Sequence, residues 1–455
     1  MEPGGYTEVL RVAVPLVLST ASLTMMLFVD RMFLSWHSQS AVAASTPGGI
    51  TYFTICSFFL GTAQYVNSIV AQHHGAGDKT ACARAVWQGV LFSLISAPLI
   101  LAMIPLGRAA LDWSAHGPEL IPLEKQFFSI LMAGGMLLPL NAALSSFFSG
   151  RGRTKVVMWG NIIGNAANAI LDYILIFGKF GFPELGIMGA GLATAITGAV
   201  PTIYWTVLFL SPRFQREYKT RSTFGFDKRL FAMLLRYGLP SGTQFFLDVA
   251  SFTFFVLLIG RLGEVSLAAT NIVLSIEALS FLPMVGMSIA ISTIVGEYVG
   301  RGDHSLAEKS VRSALVLALV YTTVLAILYF VVPGFFIAMF RPAQETTAEF
   351  QVIITSGSVL LRLVAVYTLF DTMFIIYSGA LKGAGDTRFA MWAQIAIAWG
   401  LFVPPLYFIT EHFHFGLVAA WSWAVLYVIV LGLVFFLRFR SGHWKTIGMI
   451  HRHST

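Results

Sequence analysis

Hydrophobic residues in this chain form long, nearly uninterrupted runs rather than alternating or amphipathic patches. Each run has about 20 residues, the length at which an α-helix crosses the hydrocarbon core of a bilayer. Short polar loops separate the runs, so the pattern predicts an all-α integral membrane protein with twelve transmembrane helices. The predicted spans cover residues 12–34, 50–71, 87–107, 127–148, 157–177, 187–210, 236–260, 271–296, 312–333, 353–377, 390–410 and 416–437.

Composition agrees with this interpretation. Of the 455 residues, 56% are hydrophobic and only 11% are charged, whereas soluble domains have about 25% charged residues. The net charge of +7 therefore concerns loop topology and the lipid bilayer, and we expect no nucleic-acid partner. Cys56 and Cys82 provide no disulfide framework or zinc pattern. The first apolar run is too long for a signal-peptide core, so we expect it to remain as an anchor.

Lysine and arginine are distributed unevenly between the loops. Twenty lie in the C-terminal tail and in the loops after spans 2, 4, 6, 8 and 10, a set that includes Lys382 and Arg452. The alternate loops contain only five, namely Arg108, Lys125, Lys179, Arg261 and Arg341. Because positively charged loops stay in the cytoplasm, we expect a multi-pass protein of the plasma (inner) membrane with both termini cytoplasmic.

The two halves of the chain resemble each other at an offset of 225 residues. Pro15 then aligns with Pro240, and the Gly-Xaa-Gly-Asp turn at 75–78 aligns with the one at 300–303. The repeat predicts two six-helix lobes related by pseudo-two-fold symmetry along the membrane normal, an architecture typical of alternating-access transporters. The predicted parts are an N-terminal lobe at 1–210, a cytoplasmic linker loop at 211–230, a C-terminal lobe at 231–440 and a cytoplasmic tail at 441–455.

One span has a polar stripe along a single helical face. Asn161, Asn165, Asn168 and Asp172 follow one another at steps of four, three and four residues within an apolar run. An ionised side chain near the bilayer centre costs at least about 3 kcal/mol, so an intramembrane aspartate indicates a functional site. The alternative is that the asparagines join helices and that Asp172 is hydrated near the surface.

Asp30 and Asp172 are predicted to share a site in the N-terminal lobe. Both helices start at the predicted cytoplasmic side, and at about 1.5 Å per residue the two carboxylates reach a similar depth. Together with Asn168 they supply hard oxygen ligands, which suit Na⁺ coordination or proton uptake. Asn165 is a possible accessory residue. Arg31 points about 100° away from Asp30 on its helix, and we interpret it as a charge at the interface.

The C-terminal lobe has its own intramembrane acids, none of which aligns with an acid of the first half. Asp248 lies one turn after Gln244, and Asp371 lies one turn after Tyr367. We expect these acids to form a separate polar site in this lobe, with Gln244 and Tyr367 as possible accessory residues. Glu277 is a weaker candidate, because it lies about six residues from the predicted outer end of span 8.

Several of these motifs together resemble the multidrug and toxic compound extrusion (MATE) family over essentially the whole chain. The matching features are Phe-Val-Asp at 28–30, the Asn168 and Asp172 pair with the glycine-rich stretches at 178–186 and 189–195, the turns at 75–78 and 300–303, and Asp371 followed by Ser378-Gly379. The resemblance implies secondary active antiport. Na⁺ or H⁺ moves inward, and organic compounds, often cationic and aromatic, move outward.

The resemblance also implies roles for individual residues. Asp30 matches the coupling aspartate of the first lobe, and Asn168 and Asp172 match its neighbours in span 5. Asp248 and Asp371 match the acids of the second lobe, so the resemblance implies that they bind the coupling cation or the substrate, with Na⁺ as a possible metal ion. Family members often have glutamate at the position of Asp248. We accordingly expect a monomeric transporter and not an enzyme, with no cofactor besides the coupling ion.

Other classes fit the sequence less well. A lipid-linked saccharide flippase of the same superfamily is the main alternative, but it needs a strongly cationic cavity. Deep in the predicted spans there are five acids, and Arg31 and Arg362 are the only cations. A membrane transferase needs a catalytic motif next to a large loop, which is not found. A channel or receptor does not account for a two-fold repeat with unmatched acids.

Overall fold

The computed structural model of the chain describes residues 2–113, 117, 119–340, 347–413 and 415–450. Arg341 and Arg452, which contribute to the predicted charge distribution, lie outside the described residues. So do the last five residues of the predicted tail.

The prediction of twelve spans is confirmed. The described residues contain twelve helices that are long and apolar enough to cross a membrane, and the protein is a multi-pass membrane protein. They are α1 (Tyr6–His37), α2 (Gln39–Gly75), α3 (Lys79–Ala102), α4 (Leu120–Ser149), α5 (Thr154–Phe177), α6 (Ile187–Phe209), α7 (Lys228–Arg261), α8 (Glu264–Arg301), α9 (His304–Val331), α10 (Phe350–Ala384), α11 (Thr387–His412) and α12 (Gly416–Arg440).

Several helices extend well beyond the apolar runs that predict them. The clearest cases are α2, α8 and α10, which continue through polar residues at one or both ends. At the start of α2 a cap sets the helix end: the Ser38 hydroxyl accepts a hydrogen bond from the backbone N–H of Ala41. Hydropathy thus marks the lipid-facing part of each helix and underestimates its length.

Regular helical geometry is interrupted at several positions. The chain has π-helical turns at Leu234–Gly238 in α7 and at Ile395–Phe402 and Phe408–His412 in α11. Pro404 and Pro405 lie between the two segments of α11, where neither residue can donate a backbone hydrogen bond. Such π-helical turns are frequent at functional sites, and the first two lie close in sequence to Asp248 and Gln394.

The chain forms two compact units. The C-terminal unit consists of Met1–Ala13, Leu247–Val295 and His304–Gly448, and the N-terminal unit consists of Val14–Phe246, Gly296–Asp303 and Met449–Thr455. The first residues of α1 thus belong to the C-terminal unit, and the start of α7 belongs to the N-terminal unit. The lobe boundaries proposed from the sequence repeat stay a prediction.

The segment predicted as a linker is packed against the N-terminal unit. It contains a short helix, Pro212–Tyr218, before α7 begins. Trp87 Nε1 donates to the carbonyl oxygen of Thr220 at 2.8 Å, and Gln88 Nε2 donates to that of Gly225 at 2.9 Å. A hydrogen bond from Lys79 holds the pKa of the Glu217 carboxyl below its usual range. Side chains of α3 therefore fix the path of the linker.

Arg151, in the turn between α4 and α5, is buried among aromatic rings. Its guanidinium carbon lies 3.7 Å from the ring centroid of Phe147, 4.5 Å from that of Tyr218 and 4.8 Å from that of Phe214. Cation–π contacts of this kind contribute about 0.5–2 kcal/mol each, while burial lowers the pKa of Arg151. This cluster joins the end of α4 to the linker helix.

The ends of α2 and α8, where the two Gly-Xaa-Gly-Asp turns begin, pack directly against each other within the N-terminal unit. A Cβ atom added to Gly75 would lie 2.0 Å from the carbonyl oxygen of Glu297, and one added to Gly300 would lie 2.0 Å from that of Gln72. The contact is therefore between two backbones, and glycine is required at both positions.

Candidate functional site

The polar stripe on α5 faces α1. Asn161 Nδ2 donates to Ser19 Oγ at 2.5 Å, and Asn165 Nδ2 donates to Ser22 Oγ at 2.8 Å. These interhelical hydrogen bonds hold the two helices in register along the stripe. They also satisfy polar groups that would be costly against lipid.

The same register brings together the two carboxylates at the end of the stripe. Asp172 is fully buried, Asp30 is half-buried, and the two groups interact electrostatically. Three carboxylate oxygens accept no hydrogen bond from the described residues, namely both oxygens of Asp172 and Oδ1 of Asp30. Arg31 is exposed but also interacts electrostatically with Asp30. The stripe thus ends in a buried pair of acids.

Asn168 lies one turn before Asp172 and forms hydrogen bonds through its amide nitrogen. Its Nδ2 donates to Thr197 Oγ1 at 3.3 Å and, more weakly, to Thr194 Oγ1 at 3.5 Å. Its buried Oδ1 has no donor among the described residues. Asp30, Asn168 and Asp172 therefore present several acceptor oxygens without donors, a set that fits a hard cation or a proton.

A buried apolar cluster lies one helical turn beyond the two acids. It contains Leu34, four residues after Asp30, and Ile176, four residues after Asp172, together with residues of α2, α4 and α6. A buried apolar environment supplies few dipoles to stabilise two negative charges. At the end of α1, His37 Nε2 pairs with Glu184 Oε1 at 3.1 Å.

The asparagine contacts lead to a stability prediction. We expect the double variant Asn161→Ala/Asn165→Ala to lower the free energy of unfolding by about 0.6 kcal/mol per lost interhelical bond, with transport retained. Thermal unfolding of the purified protein in detergent measures the change. Thr24→Ala is the matched control, because Thr24 is exposed on α1 and bonds only to its own helix. A double variant as stable as the control would contradict the assigned role.

The C-terminal unit contains a second polar cluster, around Asp248 on α7. Gln394 Nε2, on α11, donates to Asp248 Oδ1 at 3.1 Å and to the Tyr427 hydroxyl at 3.0 Å. Tyr427, on α12, is also hydrogen-bonded to Ser251. Sequence reasoning missed Gln394 and Tyr427, since each is an isolated polar group in an apolar run. Gln244 is buried one turn before Asp248.

Asp371 and Glu277 belong to the same cluster. Asp371 interacts electrostatically with both Glu277 and Asp248, and Tyr367 is hydrogen-bonded to Glu277. The expectation that Glu277 lies near a helix end is wrong, because α8 begins at Glu264. Glu277 is thirteen residues further on (277 − 264), between three and four helical turns inside.

Lys382 also has to be reassigned. The charge distribution places it in a loop, but α10 continues to Ala384, and the half-buried Lys382 interacts electrostatically with Asp248. The cluster thus has three carboxylates and one ammonium group. Arg362 is exposed, and its Nε donates a hydrogen bond to the carbonyl oxygen of Phe330. The predicted span ends at residue 377, and the structure extends α10 to Ala384, which makes Lys382 part of the helix.

Neither cluster is built like a site for a tightly held transition metal. Among the described residues, no group of three or more His, Cys, Asp or Glu side chains is arranged to hold a metal ion. The N-terminal cluster combines α1, α5 and α6, and the C-terminal cluster combines α7, α8, α10, α11 and α12.

The chain resembles a known family in sequence. The family model described as MatE matches residues 15–174 and 240–408. A probable multidrug resistance protein NorM from Thermotoga maritima is 25% identical and aligns over 98% of this chain and 94% of its own length. Another, from Chromobacterium violaceum, is 28% identical over 94% of this chain and 92% of its own length.

Solved structures have the same fold. An outward-facing multidrug resistance MATE family transporter of the MOP superfamily superposes with a TM-score of 0.86 at 21% identity, covering 98% of both chains. A MOP superfamily transporter from Pyrococcus furiosus, described as having a binding pocket of reverse polarity, gives the same TM-score, identity and coverage. At this level of identity the likeness concerns the fold alone.

Proposed function

The chain belongs to the MatE family, and we propose that it is a secondary active multidrug efflux antiporter. In this proposal inward movement of Na⁺ or H⁺ drives the export of organic compounds, often cationic and aromatic, by alternating access. The protein lies in the plasma (inner) membrane with both termini in the cytoplasm. The relatives named as multidrug resistance proteins support the substrate class.

The observation that carries the proposal is the buried acid pair, Asp30 and Asp172. Three of its four carboxylate oxygens have no donor among the described residues, and a buried apolar cluster begins one helical turn beyond it. Two negative charges at close range in an apolar environment favour the uptake of one positive charge, as an ion or as a proton. A site of this kind changes its net charge with the cation concentration on the side to which it opens.

This charge change couples the ion to the substrate. When the acid pair is free of cations, it attracts a cationic compound into the transporter. When Na⁺ or H⁺ neutralises it, that attraction is lost, and the protein favours the state that faces the other side. Because linkage is reciprocal, each ligand weakens the binding of the other by the same factor.

The C-terminal cluster provides a second cation site in this proposal. Asp248, Glu277 and Asp371 outnumber the single ammonium group of Lys382, so the cluster keeps a net affinity for cations when the acids are ionised.

Substitutions of Lys382 test whether a cationic substrate binds at the C-terminal cluster. Its ammonium group competes with a cationic substrate for Asp248, so we expect Lys382→Gln to bind a fluorescent aromatic cation more tightly than the wild type. Equilibrium fluorescence titration in detergent measures the affinity. Lys382→Arg keeps the charge and serves as the control. Equal affinities in all three proteins would show that substrate does not bind near Asp248.

Transport by reconstituted protein tests the proposed function. Proteoliposomes are loaded with ethidium as the aromatic cation, and a Na⁺ gradient or a pH gradient is imposed separately. We expect one of the two gradients, or both, to drive ethidium movement against its own gradient. Movement that only follows the ethidium gradient, whatever ion gradient is imposed, would contradict antiport. Transport of a lipid-linked saccharide in place of ethidium would favour a flippase.

A further inference from the structure

A surface groove of about 700 Å³ lies in the N-terminal unit, away from the acid pair and next to the ends of three helical segments. Its walls come from the helix Ile104–Trp113, which follows α3, and from the first turns of α4 and α6. This volume is within the range of small-molecule sites in proteins, about 300–1,000 Å³. The groove therefore has room for part of an amphipathic molecule.

The charged side chains that line the groove are both cations, Arg108 and Lys125. Lys125 forms an ion pair with Asp112, which offsets its charge. Arg108 is exposed, and no ion pair to an acid of the described residues is found for it. The three groups together have a net charge of +1, since two cations face one anion. Gln126 adds an amide on the same rim.

The rest of the groove is apolar. Ile121, Ile130 and Met188 line it together with Pro122, and all four belong to helices of the membrane-spanning set. A ligand that satisfies both parts needs one anionic group at the rim and a hydrocarbon chain along the wall. Phospholipids have this build, because each has a phosphate in its head group and two acyl chains.

We propose that this groove binds one anionic phospholipid of the surrounding bilayer, with its phosphate at Arg108 and Lys125 and an acyl chain along Ile121, Ile130 and Met188. The charge of a phosphatidylglycerol, −1, complements the net charge of the rim. A zwitterionic phosphatidylcholine has no net charge, so it leaves the net charge of the rim at +1. The proposal is independent of the transport cycle, because none of these side chains belongs to either acidic cluster.

The test compares lipid binding by variants of the full-length protein. Purified protein in detergent is titrated with phosphatidylglycerol or phosphatidylcholine, and bound lipid is counted by native mass spectrometry. We expect wild-type protein to prefer phosphatidylglycerol, and Arg108→Gln to weaken that binding by up to about fivefold, because it removes one exposed contact between a guanidinium and a phosphate. Arg108→Lys, which keeps the charge, should retain the preference.

Lys179→Gln is the matched control, since Lys179 is an exposed cation that does not line the groove. We expect it to bind phosphatidylglycerol like the wild type. The proposal is overturned if wild-type protein binds the two lipids equally, or if Lys179→Gln loses as much affinity as Arg108→Gln. Because these readouts do not involve transport, their failure leaves the antiport proposal untouched.

Discussion

Replacing Asp172 by asparagine is expected to uncouple export from the ion gradient. Asparagine has nearly the shape of aspartate but cannot carry a negative charge, so the pair with Asp30 no longer requires a cation. Coupling free energies between two ligands are typically about 1–3 kcal/mol, which corresponds to about 5–150-fold in affinity. We expect a loss in this range for gradient-driven ethidium transport in proteoliposomes, while the folded protein persists.

Glu124→Gln provides the control for this experiment. Glu124 is a second buried carboxylate in the N-terminal unit, so its amide variant reports the general effect of removing a buried acid. We expect coupled transport to survive in Glu124→Gln. Coupled transport that persists in Asp172→Asn, or that fails equally in both variants, would disprove a specific role for the acid pair.

Replacing Gly75 or Gly300 by alanine is expected to open the contact between the ends of α2 and α8. Gly75→Ala places a methyl group 2.0 Å from the carbonyl oxygen of Glu297 on α8. Gly300→Ala places one 2.0 Å from the carbonyl oxygen of Gln72 on α2. Overpacking of this kind costs about 1–3 kcal/mol, and about 1.4 kcal/mol shifts a two-state equilibrium tenfold. We therefore expect both variants to favour conformations in which the turns have separated, and to transport more slowly.

Thiol accessibility measures this shift. Ser68 is buried on α2, about two helical turns before Gly75, so Ser68→Cys in a Cys56→Ala/Cys82→Ala background reports opening at this end. We expect faster labelling in the two glycine variants. Gly49→Ala is the control, since its added Cβ meets only Phe127 Cε1, at an ordinary 3.8 Å. Labelling rates equal to the control would mean that the turn contact does not limit opening.

Sequence alone predicted the helices and the members of the acid pair for simple physical reasons. Twelve apolar runs of membrane-spanning length have few other stable arrangements in lipid. The spacing of Asn161, Asn165, Asn168 and Asp172 required a polar partner, and a comparable depth made Asp30 a candidate for it. The structure brings Asp30 and Asp172 together, while their role in coupling stays a prediction.

The C-terminal cluster was harder to predict, because its members depend on helix ends and on packing between distant helices. Lys382 follows the last apolar residues of its span, so hydropathy places it in a loop although α10 continues to Ala384. Glu277 lies deeper than expected because α8 starts earlier than its apolar run. Gln394 and Tyr427 show no periodic pattern, and only the fold brings them to Asp248.

The central claim is that a cation at the acid pair and a cationic substrate exclude each other. Its most direct test is the equilibrium affinity for ethidium, measured against Na⁺ concentration at fixed pH and against pH without Na⁺. The account predicts that affinity falls as Na⁺ rises or as pH falls in the wild type, and falls much less in Asp30→Asn/Asp172→Asn, in which only the C-terminal cluster still binds cations. The same decline in the double variant would contradict it.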